Sequence, residues 1–241
     1  MNVRGLADSA KRKDVFQWLK EKKYTIYCLQ DIHIDDKNLR NFENDWGSKI
    51  FYSSKSSNSR GVAVLFSDQS NHNIKNIEND DDGNMIMLDL EINNLDFTLC
   101  VIYGPNKDTP YFYSNIKQRL STRNNAPVII CGDWNLILDY SKDTYGYIHE
   151  NNLKAKTQVK NMMQELELID TWRSQNENSK KYTWVSSQRP TKMARIDFFL
   201  VTPDIHAQIR KHSISFGYRT DHSFIGIDIV TANTECGRGF W

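Results

Sequence analysis

The chain has 241 residues, 39% of them hydrophobic and 25% charged, enough apolar material for one large domain or two small ones with a sizeable core. No apolar run approaches the ~18 residues of a bilayer span, and the opening MNVRGLADSAKRK has no apolar centre, so neither a membrane protein nor a signal peptide is expected. A formal net charge of +1 neither demands nor excludes a nucleic-acid partner; the distribution of charge matters more than its sum.

In chain order, Asn2 to Leu6 reads as the tail of a strand whose earlier half is missing. Asp8 or Ser9 caps a helix to about Lys23, with Val15, Phe16, Trp18 and Leu19 on its apolar face and Lys11, Arg12 and Lys13 on its exposed face. Tyr24 to Leu29 is a strand that delivers Gln30, Asp31 and His33 at its end. Asp31 is either a solvated loop acid or a carboxylate aimed at a site. The serine-rich SSKSSNSR leads to Arg60 and a strand from Gly61 to Phe66. Asn73 to Glu78 and Met85 to Glu91 alternate apolar and polar around Asp80-Asp81-Asp82-Gly83-Asn84, a hairpin whose acids form a solvated turn without the spaced ligands of a calcium loop. Phe97 to Tyr103 is a strand closed by Gly104-Pro105-Asn106, and Thr109-Pro110 starts a helix through about Leu120.

Val128 to Cys131 is a short continuous apolar run, the pattern of a strand buried on both faces, and Gly132 ends it at a sharp turn. Asp133 and Asn135 follow two residues apart and point the same way, with Trp134 anchoring the opposite side. A carboxylate beside an amide can hold and deprotonate a water next to a phosphate. Leu153 to Leu168 is a helix whose Val159, Met162, Met163 and Leu166 are core positions. Further strands are expected at Tyr182 to Val185, Ile196 to Val201, Ser213 to Phe216 and Phe224 to Val230. Cys28, Cys100 and Cys131 lie in apolar runs without zinc or redox spacing, as buried thiols of a reducing compartment would. Two packed sheets with helices outside would bury these strands on both faces.

The polar residues left at strand ends are Asn2, Asp31, Tyr103, Asp133, Asn135, Asp197, Asp221 and His222. With the blocks NVRGL, CLQDIH, SRGVAVLF, VIYGPN, CGDWN, RIDFFLV and TDHS, the chain resembles the endonuclease/exonuclease/phosphatase superfamily. Within it, the likeness is to the apurinic-endonuclease-like domain of LINE-type, non-LTR retrotransposons. The resemblance covers essentially the whole chain. It implies an α/β fold, a four-layer αββα sandwich of two mixed sheets flanked by helices, deoxyribonuclease I-like, with its first strand truncated. Residues 1–232 would form the endonuclease domain, and 233–241 the start of a linker toward a downstream reverse transcriptase of the same polyprotein.

The implied activity is Mg2+-dependent nicking of double-stranded DNA, with Mn2+ as an alternative ion, leaving a 3′ hydroxyl that primes reverse transcription and a 5′ phosphate. Asp31 and Asp221 would hold the metal. Asp133, positioned by Asn135, would activate water; His222, fixed by Asp197, would bond the scissile phosphate; Tyr103 and Asn2 would donate to its oxygens. DNA contacts are expected from the acid-free stretch Lys180 to Arg195, namely Thr183, Arg189, Lys192 and Arg195, and from Arg60 and Arg219. The family most often has Glu where this chain has Asp31. Other readings keep the fold and change the outcome: an abasic-site repair endonuclease, a lipid phosphatase, or a degraded nucleic-acid-binding relic. Activity would imply an intracellular, nuclear protein.

Overall fold

The computed structural model describes residues 1–56, 60–68, 70–123, 126–188 and 191–230. Helix α1 (Ser9–Lys22) leads to strand β1 (Ile26–Gln30), helix α2 (Leu39–Trp46) and strands β2 (Ile50–Ser53) and β3 (Val62–Phe66). Strands β4 (His72–Asn79), β5 (Met85–Ile92) and β6 (Leu95–Tyr103) follow, then α3 (Pro110–Ser121) and β7 (Val128–Asp133). Next come α4 (Tyr140–Asp143), β8 (Thr144–Tyr145), α5 (Leu153–Glu165), β9 (Ile169–Asp170) and α6 (Thr171–Gln175). The last elements are β10 (Trp184–Val185), β11 (Met193–Ala194), β12 (Asp197–Val201), α7 (Pro203–Gln208), β13 (Ile209–Phe216) and β14 (Ser223–Ile229).

A six-stranded mixed sheet runs β4-β5-β6-β7-β12-β9, parallel only where β6 meets β7. Facing it are the β1-β3-β2 sheet and the β13-β14 ribbon, and a small β10-β11-β8 sheet stands at one side. Three apolar clusters define four layers. Val62, Val64 and Phe66 meet Leu88, Val101, Ile129 and Cys131 between the facing sheets. Helices α1 and α2 cover the outside of the smaller sheet through Val15, Phe16, Leu19, Phe42 and Trp46. Helices α3 and α5 cover the larger one through Tyr113, Ile116, Leu120, Val159 and Met162. This is the expected sandwich of sheets flanked by helices. The strands with near-continuous apolar sequence, β3 and β7, are buried at every residue because both faces are covered.

Local chemistry sets the element ends. Asp8 caps α1 by accepting from the Lys11 N–H at 2.7 Å. Gly132 has φ +147°, and a Cβ there would lie 1.9 Å from the Ile102 carbonyl oxygen, so only glycine lets β7 lie against β6 just before Asp133.

Several expectations need correction. Arg12 is buried, donating to Asp45 and to the Leu6 carbonyl, because its guanidinium lies over the Phe42 ring and its charge meets a partner. Lys11 turns back to donate to the Val3 and Arg4 carbonyls at 2.7 and 2.8 Å. Asp80 is a brace inside its turn, accepting from the Asn84 and Met85 N–H groups at 2.8 and 2.9 Å. Helices α2 and α7 are additional to the expected elements. Helix α2 buries only Phe42 and Trp46, one turn apart, too short a stripe to stand out. Residues 231–241, which hold the expected linker, lie outside the described residues.

Candidate active site

Three adjacent strands of the large sheet end in polar residues at one level. Register places Tyr103 of β6 beside Asp133 of β7, and Asp197 of β12 opposite Asp133. Trp134 locks the turn after β7: it is fully buried, stacks between Phe198 at 4.7 Å and Tyr113 at 6.0 Å, and donates from Nε1 to the Phe198 carbonyl at 3.0 Å. Thr183 fixes the start of β12, its hydroxyl oxygen accepting from the Ile196 and Asp197 N–H groups at 3.0 Å each.

The facing elements bring the remaining groups. His222 precedes β14 and forms a bridge with Trp184, while the Ser223 N–H donates to the Thr183 carbonyl at 2.6 Å. His222 Nδ1 lies 2.9 Å from Asp197 Oδ2, and Nε2 lies 3.8 Å from Asp133 Oδ2. Asn2, held beside Gln30 by a parallel bridge, donates from Nδ2 to Asp133 Oδ2 at 3.1 Å. The Asn135 N–H donates to Asp133 Oδ1 at 3.0 Å, while its side-chain amide donates to the Gly104 carbonyl at 2.7 Å. Asn135 thus positions Asp133 through its backbone.

Asp31 follows β1 with φ +57°; its Oδ1 accepts from the Arg60 N–H at 3.1 Å and lies 3.1 Å from His33 Nε2. Asp221 Oδ2 accepts from Trp184 Nε1 at 3.2 Å and pairs with Arg4 at 3.3 Å, whereas its buried Oδ1 has no hydrogen-bond partner. Asn2, Asp31, Tyr103, Asp133, Asn135, Asp221 and His222 line one open cleft of about 700 Å³, with Asp197 buried behind His222. All eight strand-end residues singled out in the sequence therefore converge.

Burial and the facing Asp197 carboxylate push the Asp133 carboxyl up to about 7. Burial pulls His222 down, but Asp197, by charge and hydrogen bond, outweighs it and raises the imidazole to about 9. Near neutrality the pair is therefore an imidazolium between two carboxyl groups. Burial, reinforced by Asp31 and Asp133, holds the Tyr103 hydroxyl protonated well above the usual phenol range. Asp133, Asp197 and His222 each offer a ligand atom within 4.8 Å of the others, and this cluster could hold a metal ion.

The expected DNA contacts fare less well. Arg195 is buried and grips Asp143 and Asp170 through paired bonds of 2.7 to 3.2 Å, so its charge is spent inside the protein. Thr183 is also buried and serves as the brace for Asp197. Arg219 is exposed and pairs with Asp14 at 2.6 Å; the exposed Arg60 turns at φ +64° to present its N–H to Asp31. Lys192 lies 4.2 Å over the ring of Tyr147, a cleft-wall residue. Arg189 lies outside the described residues. Sequence reasoning missed Arg4, Trp184 and Glu150 on the cleft wall. Arg4 stands at a bend, φ +50°, where its N–H turns back to Asn2 Oδ1 at 2.9 Å.

A family model described as the Endonuclease/Exonuclease/phosphatase family matches residues 1–222. The chain is 20% identical over 245 residues to the Transposon TX1 uncharacterized 149 kDa protein of Xenopus laevis, covering 100% of this chain and 18% of that protein, so it spans about a fifth of that relative's length. It is 25% identical over 234 residues to an exodeoxyribonuclease of Bacillus subtilis, covering 89% of this chain and 91% of the relative. Among solved structures, an AP endonuclease from Archaeoglobus fulgidus superposes with a TM-score of 0.76 at 18% identity, over 95% of this chain and 97% of that one. A 3′-5′ exonuclease from Neisseria meningitidis gives a TM-score of 0.72 at 18% identity over the same shares. At such identities these likenesses establish the fold.

Proposed function

Because the chain belongs to the endonuclease/exonuclease/phosphatase family, we propose that it is a Mg2+-dependent DNA endonuclease that nicks target DNA for a non-LTR retrotransposon. The observation that carries this reading is the pairing of Asp133 with His222, 3.8 Å apart across a gap that a water or phosphate oxygen can share, with Asp197 behind the imidazole. The transposon relative supports the biological setting.

In this reading Asp133 orients a water and takes its proton, aligned by Asn2 Nδ2 and the Asn135 N–H. Asp197 fixes His222 with Nδ1 bound, so that Nε2 donates to a phosphate oxygen as charge develops in the transition state. The Tyr103 hydroxyl, kept protonated, donates beside it. Asp31 and Asp221 fit a divalent cation. Both are oxygen ligands on the cleft, and the buried Asp221 Oδ1 awaits a partner. Bound there, Mg2+ supplies neutralisation of the phosphate and of the leaving 3′ oxygen. Cleavage leaves a 3′ hydroxyl and a 5′ phosphate. Lys192 and Arg60 at the rim hold the backbone of duplex DNA.

The test is a supercoiled-plasmid nicking assay with Mg2+, with chelated and Asp133→Ala controls, run beside a duplex carrying one abasic site. Metal-dependent open circles that vanish in the variant support the proposal. Cutting confined to the abasic duplex would establish a repair endonuclease, the activity that the Archaeoglobus neighbour's name brings to mind.

A further inference from the structure

Immediately after β1 the backbone turns left-handed at two residues, Asp31 at φ +57° and His33 at φ +58°, with the buried Ile32 between them. Neither is glycine, and such a backbone persists only where its surroundings hold it. Here the segment is clamped on both sides. The Gly5 and Leu6 N–H groups donate to the Asp31 and Ile32 carbonyls at 2.7 and 3.0 Å, and the His33 N–H donates to the Arg60 carbonyl at 3.0 Å. Gly5 turns at φ +77°, and a Cβ there would lie 2.7 Å from His33 Nδ1, so glycine leaves the imidazole its seat. The clamped loop brings two side chains together. His33 Nε2 lies 3.1 Å from Asp31 Oδ1, and the two side chains are 25% and 19% exposed. Asp31 lines the cleft, so an ion can reach the pair from there.

A partly exposed histidine–aspartate pair returns too little to account for two strained residues. A shared cation accounts for them. Two ligands in adjacent positions of an octahedron with bonds of about 2.1 Å stand about 3.0 Å apart. The Asp31 and His33 ligand atoms already stand at that spacing. A small turn of the imidazole exchanges its hydrogen bond to Asp31 for a bond to the ion. We propose that His33 Nε2 is a direct ligand of the divalent cation at Asp31, and that it biases the site toward first-row transition ions such as Mn2+ over Mg2+. His33 thereby adds a nitrogen to the oxygens of Asp31 and Asp221, an assignment that rests on the cation proposed for them above. Mg2+ takes oxygen ligands and keeps its waters, whereas imidazole binds first-row transition ions well. The left-handed turn at His33 is what delivers that nitrogen; an extended backbone there would send the side chain elsewhere.

The test loads the 241-residue chain with Mn2+ in the absence of DNA and reads nitrogen coupling by electron spin-echo envelope modulation. An imidazole nitrogen bound to the ion modulates the echo strongly; one that only hydrogen-bonds Asp31 does not. The parent should show the modulation, His33→Gln should lose it, and His222→Gln should keep it. Glutamine retains an amide donor for Asp31, so a His33 that merely positions the carboxylate would leave Mn2+ affinity intact in His33→Gln. As a ligand, its loss should weaken Mn2+ by about tenfold or more, no less than loss of an outer-shell partner costs. Mg2+ affinity should change less, so the excess of Mg2+ needed to displace Mn2+ shrinks. Mn2+ bound by the parent without nitrogen coupling would overturn the proposal and leave the nuclease reading standing. Coupling that survives in His33→Gln and vanishes in His222→Gln would do the same, placing the ion with Asp133, Asp197 and His222. Failure of the parent to bind Mn2+ at all would overturn the metal site and His33's part in it together.

Discussion

Asp133 and Asp197 stand opposite one another in the β7–β12 register, both buried, and the His222 imidazole lies against each. Burial, reinforced by the facing Asp197, holds the proton on Asp133, and this relationship sets the acid-base behaviour of the cleft. With Asp133 raised to about 7 and His222 to about 9, nicking should follow a bell-shaped pH profile, its acid limb set by Asp133 and its alkaline limb by His222. Asp197→Asn should remove the group that holds His222 protonated. The alkaline limb then moves down in pH, and kcat falls by about 10²- to 10⁴-fold. Rates measured from pH 5 to 10 decide it; an unmoved alkaline limb in the variant would assign that limb to another group.

The same shift is a stability statement. In the folded chain Asp133 keeps a proton up to about 7, whereas an unfolded aspartate loses it near ~3.9. The folded state binds the extra proton between those values, so the stability this group contributes is complete below the lower one and is lost as pH rises through the upper. Asp133→Asn should therefore abolish nicking while stabilising the fold, and its gain over the parent should grow between pH 5 and pH 7 by up to about 1.4 kcal/mol per pH unit. Urea melts at pH 5, 6, 7 and 8 measure it, and a gain independent of pH would contradict the raised carboxyl.

What was legible in the sequence was whatever the backbone alone dictates. The strand-end residues converged because strand ends in facing sheets share a level, and the Gly132 turn and the Met162 packing followed from local pattern. What failed depended on partners distant in sequence. Arg195 stands in a stretch without acids, yet its carboxylates come from Asp143 and Asp170, 52 and 25 residues away. Thr183 likewise serves a backbone 14 residues on. A basic run advertises a charged surface only where no such acid folds back onto it.

That distinction is testable on two of the cations in this stretch, Lys192 and Arg195. Lys192→Ala should weaken DNA binding and reduce the salt slope of log K by about one, with the fold unaffected. Arg195→Ala should instead leave Asp170 buried without its counter-charge and Asp143 with Arg173 alone, and destabilise the protein by about 3–5 kcal/mol. Fluorescence anisotropy across a salt series, paired with denaturant melts, separates the two. A full-strength fold in Arg195→Ala with a reduced salt slope would return Arg195 to the DNA surface.

Arg4 offers the last test, because it occupies the place where a cation is wanted. Its guanidinium pairs with Asp221 Oδ2 at 3.3 Å, and Lys11 holds its backbone through the Arg4 carbonyl. The Arg4 side chain is 54% exposed, so the pair is weak and screened, and a divalent ion reaching Asp221 has only a modest competitor. Arg4→Gln removes that competitor and keeps a side chain of similar reach. The Mg2+ concentration for half-maximal nicking should then fall by about two- to fivefold, matching an exposed ion pair of about 0.4–1 kcal/mol. Thermal stabilisation by Mg2+, read without DNA, should reach its midpoint at a correspondingly lower concentration. If metal affinity stays unchanged and the rate at saturating Mg2+ falls instead, Arg4 serves the phosphate rather than guarding Asp221.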